Sequence, residues 1–127
     1  MNKRIILTAA LFGLIAVILG AFGAHGLQGK VSDDQLDNWK TAVNYQFYHT
    51  LALLFLATFS RARNSLITFA YFGFTIGILL FSGSLYLLST RAITGISAAF
   101  LGPITPIGGL CFILGWLGLF LATMRHK

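Results

Sequence analysis

The sequence predicts an all-α membrane protein: a four-transmembrane-helix bundle with both termini cytoplasmic. Three observations carry the prediction. The composition does not suit water, four uncharged runs have spanning length, and basic residues are unevenly shared between the connections. Of 127 residues, 57% are hydrophobic and 9% charged, against about 25% charged in an ordinary soluble domain. In water such a chain would expose large apolar patches, so lipid is the solvent that fits it.

The same composition limits the chemistry. Asp33, Asp34 and Asp37 are the only acidic residues, too close together for a separated carboxylate pair or an oxygen-rich Ca²⁺ cage. A lone Cys111 allows neither an intrachain disulfide nor a Cys-x-x-Cys site. No catalytic residue, metal or cofactor is called for, and an enzyme is the least supported class.

The first uncharged run, Ile5 to Ala24, matches the roughly 20 residues that cross a hydrocarbon core. Lys3 and Arg4 before it, with Ala21 and Gly23 near its end, imitate a secretory signal. Its apolar stretch exceeds the ~7–15 residues of a signal core, so a retained helix is expected. Ala9, Gly13, Ala16, Gly20, Gly23 and Ala24 share one helical face, with Leu7, Leu11, Leu14, Ile18 and Phe22 opposite. Small residues let membrane helices approach closely, which makes the small face the packed one.

The second helix announces its start. Ser32-Asp33-Asp34-Gln35 is a capping-box pattern with carboxylates at the positive end of the helix dipole. The helix then begins near Asp33 and enters the membrane around Trp39, an interfacial residue type. Its span is 41–60, and Arg61 to Asn64 close the inner turn. Asn38, Tyr45, Gln46 and His49 fall on one face with Ala42 and Ala52, and Val43, Phe47, Leu51, Leu54 and Phe55 on the other. His49, ten residues beyond Trp39, lies about 15 Å deeper, near the bilayer middle. Polar groups are costly in lipid, so this face points at other helices or water.

The third run, 65–90, repeats the small-residue device with Ala70, Gly73, Gly77 and Ser84 and adds a hydroxyl stripe: Thr68, Tyr71, Thr75, Ser82 and Tyr86. Local bonding to the helix's own carbonyls is the simplest account of that stripe. Residues 92–102 are apolar and glycine-punctuated, too short to span, and either interfacial or re-entrant. Pro103 and Pro106 suit the first turns of the last run, 103–124, which carries Gly108, Cys111, Gly115, Gly118 and Ala122 on one face. Pure packing accounts for Gly13, Gly20, Gly73, Gly77, Gly108 and Gly115. Their spacing is equally compatible with a homo-oligomer or a membrane-protein partner. No glycine cluster follows a strand in a βαβ unit, so no phosphate loop is indicated.

Four spans use most of residues 1–127 and leave one integral membrane domain. With the N-terminus inside, Lys3, Arg4, Arg61, Arg63, Arg125 and Lys127 fall inside, against Lys30, Lys40, Arg91 and all three aspartates outside. The positive-inside rule then puts both ends in the cytoplasm. The net charge of +6 is explained by orientation and by anionic membrane lipids, and nucleic acid is not an expected partner.

An intramembrane histidine has three uses: a structural hydrogen-bond hub, proton or solute handling, or haem, metal or quinone binding. Bis-histidine haem ligation needs two imidazoles at one level. His25 ends the first helix at the outer rim while His49 lies deeper, which counts against haem. His126, between Arg125 and Lys127, reads as a solvated tail residue.

Gly20-Ala-Phe-Gly-Ala-His-Gly-Leu27, Trp39 with Thr41-Ala42, Tyr45-Gln-Phe-Tyr-His49, Phe81-Ser-Gly-Ser-Leu-Tyr86, Thr105-Pro-Ile-Gly-Gly109 and Gly115-Trp116 form a specific combination across all four spans. On these motifs the sequence resembles the domain of unknown function 423 family, small bacterial and mitochondrial multi-pass proteins of the transmembrane protein 256 type. The resemblance implies a four-helix protein of the bacterial inner (plasma) membrane and carries no reaction with it. Its motif residues here are His25, Tyr45, Gln46, Tyr48, His49, Ser82, Ser84, Tyr86, Thr105 and Pro106, expected to converge in the outer half of the bundle. The expected function is an accessory role in membrane integrity or assembly, with a polar cluster around His49. A small channel or carrier for protons or a small solute is the alternative, and haem or quinone binding a further one.

Overall fold

The computed structural model describes residues 2–59 and 65–125. The inner turn at Arg61 to Asn64, Ser60 and the tail residues His126 and Lys127 lie outside the described residues. Helix α1 runs Lys3–His25, α2 Asp33–Phe59, α3 Ser65–Gly77 and α4 Gly83–Ser89. Two short helices follow, α5 Arg91–Thr94 and α6 Ala98–Leu101, and α7 spans Ile104–Arg125. Among the described residues there is no strand. A single wide π-turn, Ile78–Ser82, joins α3 to α4 in one continuous rod.

The capping box forms at the start of α2. Ser32 Oγ accepts from the Gln35 amide, and Gln35 Oε1 accepts from the Ser32 amide, so two otherwise unpaired donors are satisfied reciprocally. At the start of α1, Asn2 Oδ1 accepts from the Arg4 and Ile5 amides, a side-chain N-cap.

Helices α1 and α2 pair antiparallel along their length. The Trp39 indole donates to the Leu19 carbonyl at 2.8 Å near one end, and the Asn2 amide donates to the Ala57 carbonyl at 3.2 Å at the other. Gly20 faces Val43 and Gly13 faces Thr50, and the Trp39 indole fills the notch over Gly23. Trp39 is therefore buried in the helix pair, and Val43 is buried against the small face of α1. The reason is steric: the glycines of α1 leave room that only large α2 side chains fill.

The α3–α4 rod packs on α2 with one side and on α7 with the other. The α3–α7 seam is made of small residues. A Cβ on Gly73 would come within 2.8 Å of Gly115 Cα, and one on Gly108 would meet the Phe81 backbone. Backbones approach this closely only where a side chain is missing. The core joins Ala9 of α1, Leu53 and Leu56 of α2, Ala70 and Phe74 of α3 and Phe112 of α7. Leu7, Leu11, Leu14, Leu51, Phe55, Ile113 and Phe120 remain exposed around the outside.

Among the described residues, three helical stretches are long and apolar enough to cross a membrane: Lys3–His25, Ser65–Ser89 and Ala98–Arg125. The fourth rod, α2, is not among them, because Asn44, Gln46 and His49 lie inside its uncharged stretch. Residues 92–102 form neither a span nor one helix. They make two helical turns separated at Gly95, whose φ is +74°, and only Leu101 among them is buried.

Candidate functional site

Helix α2 presents its polar side chains to three neighbours at once. On the side toward α1 and α4, the Gln46 amide nitrogen donates to the Phe12 carbonyl at 2.8 Å. Its Oε1 accepts from the Tyr86 hydroxyl at 2.6 Å. One amide thus ties α1, α2 and α4 together. Nearby, Ser82 Oγ donates to the Ala42 carbonyl at 2.8 Å, and the rings of Trp39 and Tyr86 lie 4.7 Å apart.

On the side toward α7, His49 is 4% exposed, and both of its ring nitrogens are engaged. Nε2 accepts from the Trp116 indole N–H at 3.0 Å, and Nδ1 lies 2.7 Å from the Tyr45 carbonyl oxygen. An indole only donates and a carbonyl only accepts, so this arrangement selects the neutral imidazole with its proton on Nδ1. The ring is stacked on Phe112 at 3.6 Å between centroids and 9° between planes. Phe74 and Trp116 close over it at 5.7 and 5.8 Å. Helix α7 packs chiefly on α3, and Trp116 and Phe112 carry it to α2.

The residues singled out from sequence therefore separate into distinct places. Gln46 and Tyr86 form one linkage, Ser82 bonds the Ala42 carbonyl separately, and His49 pairs with Trp116 and Tyr45's backbone. Ser84 and Thr105 pair at 2.6 Å between α4 and α7. Tyr48 is 56% exposed and Tyr45 39%; the Tyr45 ring packs on Phe81 at 4.7 Å. His25 is exposed at the end of α1, level with Trp39 and about 15 Å from His49 along the bundle. Instead of a single cluster around His49, the polar residues make several one-to-one bonds between helices. The physical reason is that each faces a different neighbour.

The hydroxyl stripe of the third rod likewise has two targets. Tyr71 lies before the π-turn and its hydroxyl is 2.8 Å from Thr8 Oγ1 of α1. Ser82 and Tyr86 lie at or beyond the turn and bond α2. The wide turn re-phases the helix, so a stripe that is straight in sequence swings from one neighbour to the next. The local bonding expected of the stripe is found instead outside it, at Ser89 and Thr90, which bond the Leu85 and Tyr86 carbonyls. Sequence reasoning missed Trp116 and Phe112 as the partners of His49. In the sequence Trp116 stands out only as part of the Gly115-Trp116 motif, and nothing local tells an indole which helix it will meet.

A cleft of about 630 Å³ opens beside His49, walled by Tyr45, Phe81, Leu110, Phe112, Ile113 and Trp116. It is overwhelmingly apolar. Among the described residues no three His, Cys or Asp side chains come together.

Comparison with known proteins agrees with the geometry of a small helical membrane unit. The family model described as "Protein of unknown function (DUF423)" matches residues 19–109. A UPF0382 membrane protein of Staphylococcus aureus (strain bovine RF122 / ET3-1) is 47% identical over 123 residues, covering 97% of each chain. The UPF0382 membrane protein YwdK of Bacillus subtilis (strain 168) is 46% identical over 127 residues, covering 98% of each. No solved structure matches. The relatives are named membrane proteins, and the apolar helices described above support the same location for this chain. A match over most of the chain by the family model, together with these full-length relatives, means that the chain belongs to the DUF423 family of membrane proteins.

Proposed function

We propose that the chain is a four-span protein of the bacterial inner membrane with both termini cytoplasmic, serving as a non-enzymatic accessory in membrane integrity or assembly. The observation that carries the role is the state of His49. Both ring nitrogens are committed to Trp116 and Tyr45, so the intramembrane imidazole holds helices together and has no lone pair left for a metal, a haem or a travelling proton.

The fourth span is supported by the α1–α2 pairing. Trp39 and Ala57 meet opposite ends of α1, and the α2 segment between them is about 27 Å long at 1.5 Å per residue, close to the hydrocarbon thickness. Where α1 crosses, α2 crosses beside it. Orientation is supported by the share of Lys and Arg in the four-span reading, with Lys3, Arg4, Arg61, Arg63, Arg125 and Lys127 on the side of the termini against Lys30, Lys40 and Arg91 on the other. Partners in this reading are lipids and a second copy or another membrane protein, which would meet the exposed apolar side chains, since the small-residue faces are filled within the chain.

Reconstitution tests the role. Proteoliposomes are expected to show no pH-dependent flux, and the purified protein no visible absorption band. Reporter fusions at both ends are expected to read cytoplasmic; a periplasmic C-terminus refutes the four-span topology. A second reading, a channel or carrier for protons or a small solute, has one observation in its favour. The buried hydroxyls of Thr50 and Thr75 have no hydrogen-bond partner among the described residues. Flux lost in Thr50→Val together with Thr75→Val would favour that reading.

A further inference from the structure

We propose that the cleft between the starts of α1 and α3 binds the phosphate of an anionic phospholipid, with Arg4 as its cationic ligand. The cleft holds about 90 Å³, and its wall has a polar part, Asn2, Arg4, Thr68 and Tyr71, and an apolar part that includes Ile67 and Phe72. The Arg4 guanidinium carbon sits 5.9 Å from the centroid of the Tyr71 ring, within cation–π range. Tyr71 is itself held by Thr8. The cation is thus steered toward α3 instead of sweeping freely through the headgroup layer.

Among the described residues Arg4 has no carboxylate near it. All three acidic side chains lie on the first turns of α2, at the far end of the α1–α2 pair. That is about 27 Å away at 1.5 Å per residue, several times the ~8 Å screening length at physiological salt. A guanidinium at a span's end with no acidic side chain near it is the complement of the phosphate plane of a bilayer. Its planar fork matches two phosphate oxygens at once, and the Thr68 hydroxyl offers a further donor. Free phosphate would use only the polar wall. The exposed ring of Phe72 lies a helical turn beyond Thr68 toward the membrane interior, where acyl chains attached to that phosphate would lie, and this selects a lipid as the source.

The inference rests on α1 and α3 crossing the bilayer. Failure of that reading would release the chain from membranes in an alkaline wash, whereas failure of the site leaves it embedded with no preference among lipids. The test titrates the purified full-length chain in neutral detergent with phosphatidylglycerol and with phosphatidylcholine of the same acyl chains, followed by native mass spectrometry. Phosphatidylglycerol is expected to bind at least about tenfold more tightly, and Arg4→Gln to weaken it by about tenfold. Lys3→Gln, which changes a neighbouring charge outside the cleft, is expected to leave it within about twofold. Equal losses from Arg4→Gln and Lys3→Gln overturn the site in favour of diffuse surface attraction. Equal binding of the two lipids, or displacement of bound phosphatidylglycerol by inorganic phosphate, overturns it as well. Should Arg4→Gln fail to fold, the exposed Thr68→Val decides: a several-fold loss supports the site and parental binding refutes it.

Discussion

Trp116 of α7 donates its indole N–H to Nε2 of His49 on α2 at 3.0 Å, and the same imidazole is stacked on Phe112 of α7 at 3.6 Å. Since α7 otherwise packs chiefly on α3, this aromatic contact is a main link between the second and last long helices.

Removing the donor tests that link. Trp116→Phe keeps an aromatic side chain but deletes the N–H with part of the indole surface, and is expected to cost at least about 0.5–1.5 kcal/mol, the usual net worth of such a bond. His49→Leu is expected to cost at least as much, because it also loses the bond to Tyr45 and leaves the indole unpaired. Thermal unfolding in detergent reads both. Unchanged melting of the pair of variants would refute the hub role of His49.

Gln46 and Tyr86 should behave as a coupled pair. Gln46→Leu breaks bonds to α1 and α4 together, while Tyr86→Phe breaks one. A double-mutant cycle is expected to give an interaction energy of about 0.6–1.7 kcal/mol, between the average and the maximum found for hydrogen bonds between membrane helices. Strict additivity would mean the 2.6 Å bond contributes nothing.

The α3–α7 seam makes a sharper prediction. Gly73→Val and Gly108→Val place side chains against the Gly115 and Phe81 backbones, and each is expected to destabilise by about 1–3 kcal/mol through overpacking. Gly83→Ala is the control: a Cβ there meets nothing within 4 Å, and its melting temperature should match or slightly exceed the parent's. Equal effects at all three positions would mean that the seam is not where these helices meet.

Capping gives a local test at the other end of the molecule. Ser32→Ala removes the oxygen that accepts from the Gln35 amide and is expected to cost about 1 kcal/mol. Hydrogen exchange should rise at the first turn of α2 and stay unchanged beyond Trp39. Protection lost along the whole helix would contradict a purely local cap.

Much of the architecture was legible in residue order. The charge-free runs mark the long rods, Ser32 to Gln35 mark the start of α2, and the spacing of Ala9, Gly13, Ala16, Gly20 and Gly23 marks the face of α1 that meets α2. These features depend on neighbours within a turn or on a helical period, which a linear chain displays directly. Trp39 is the instructive exception. Its residue type suggests a level along the helix but does not show the notch at Gly23, on another helix, that buries it.

What the sequence determined by itself is therefore the solvent, the rods, their small faces and the short list of polar groups that lipid cannot leave unpaired. Which partner each polar group takes was decided only by the tertiary structure. Gln46 and His49 are three residues apart on one helix, yet Gln46 bonds α1 and α4 while His49 bonds α7. The π-turn at Ile78–Ser82 swings Ser82 and Tyr86 toward α2 after Tyr71 has faced α1. A hydrogen bond between helices is set by rotation and separation of whole rods, quantities that no local period encodes, and so the expected single cluster resolved into several pairwise ties.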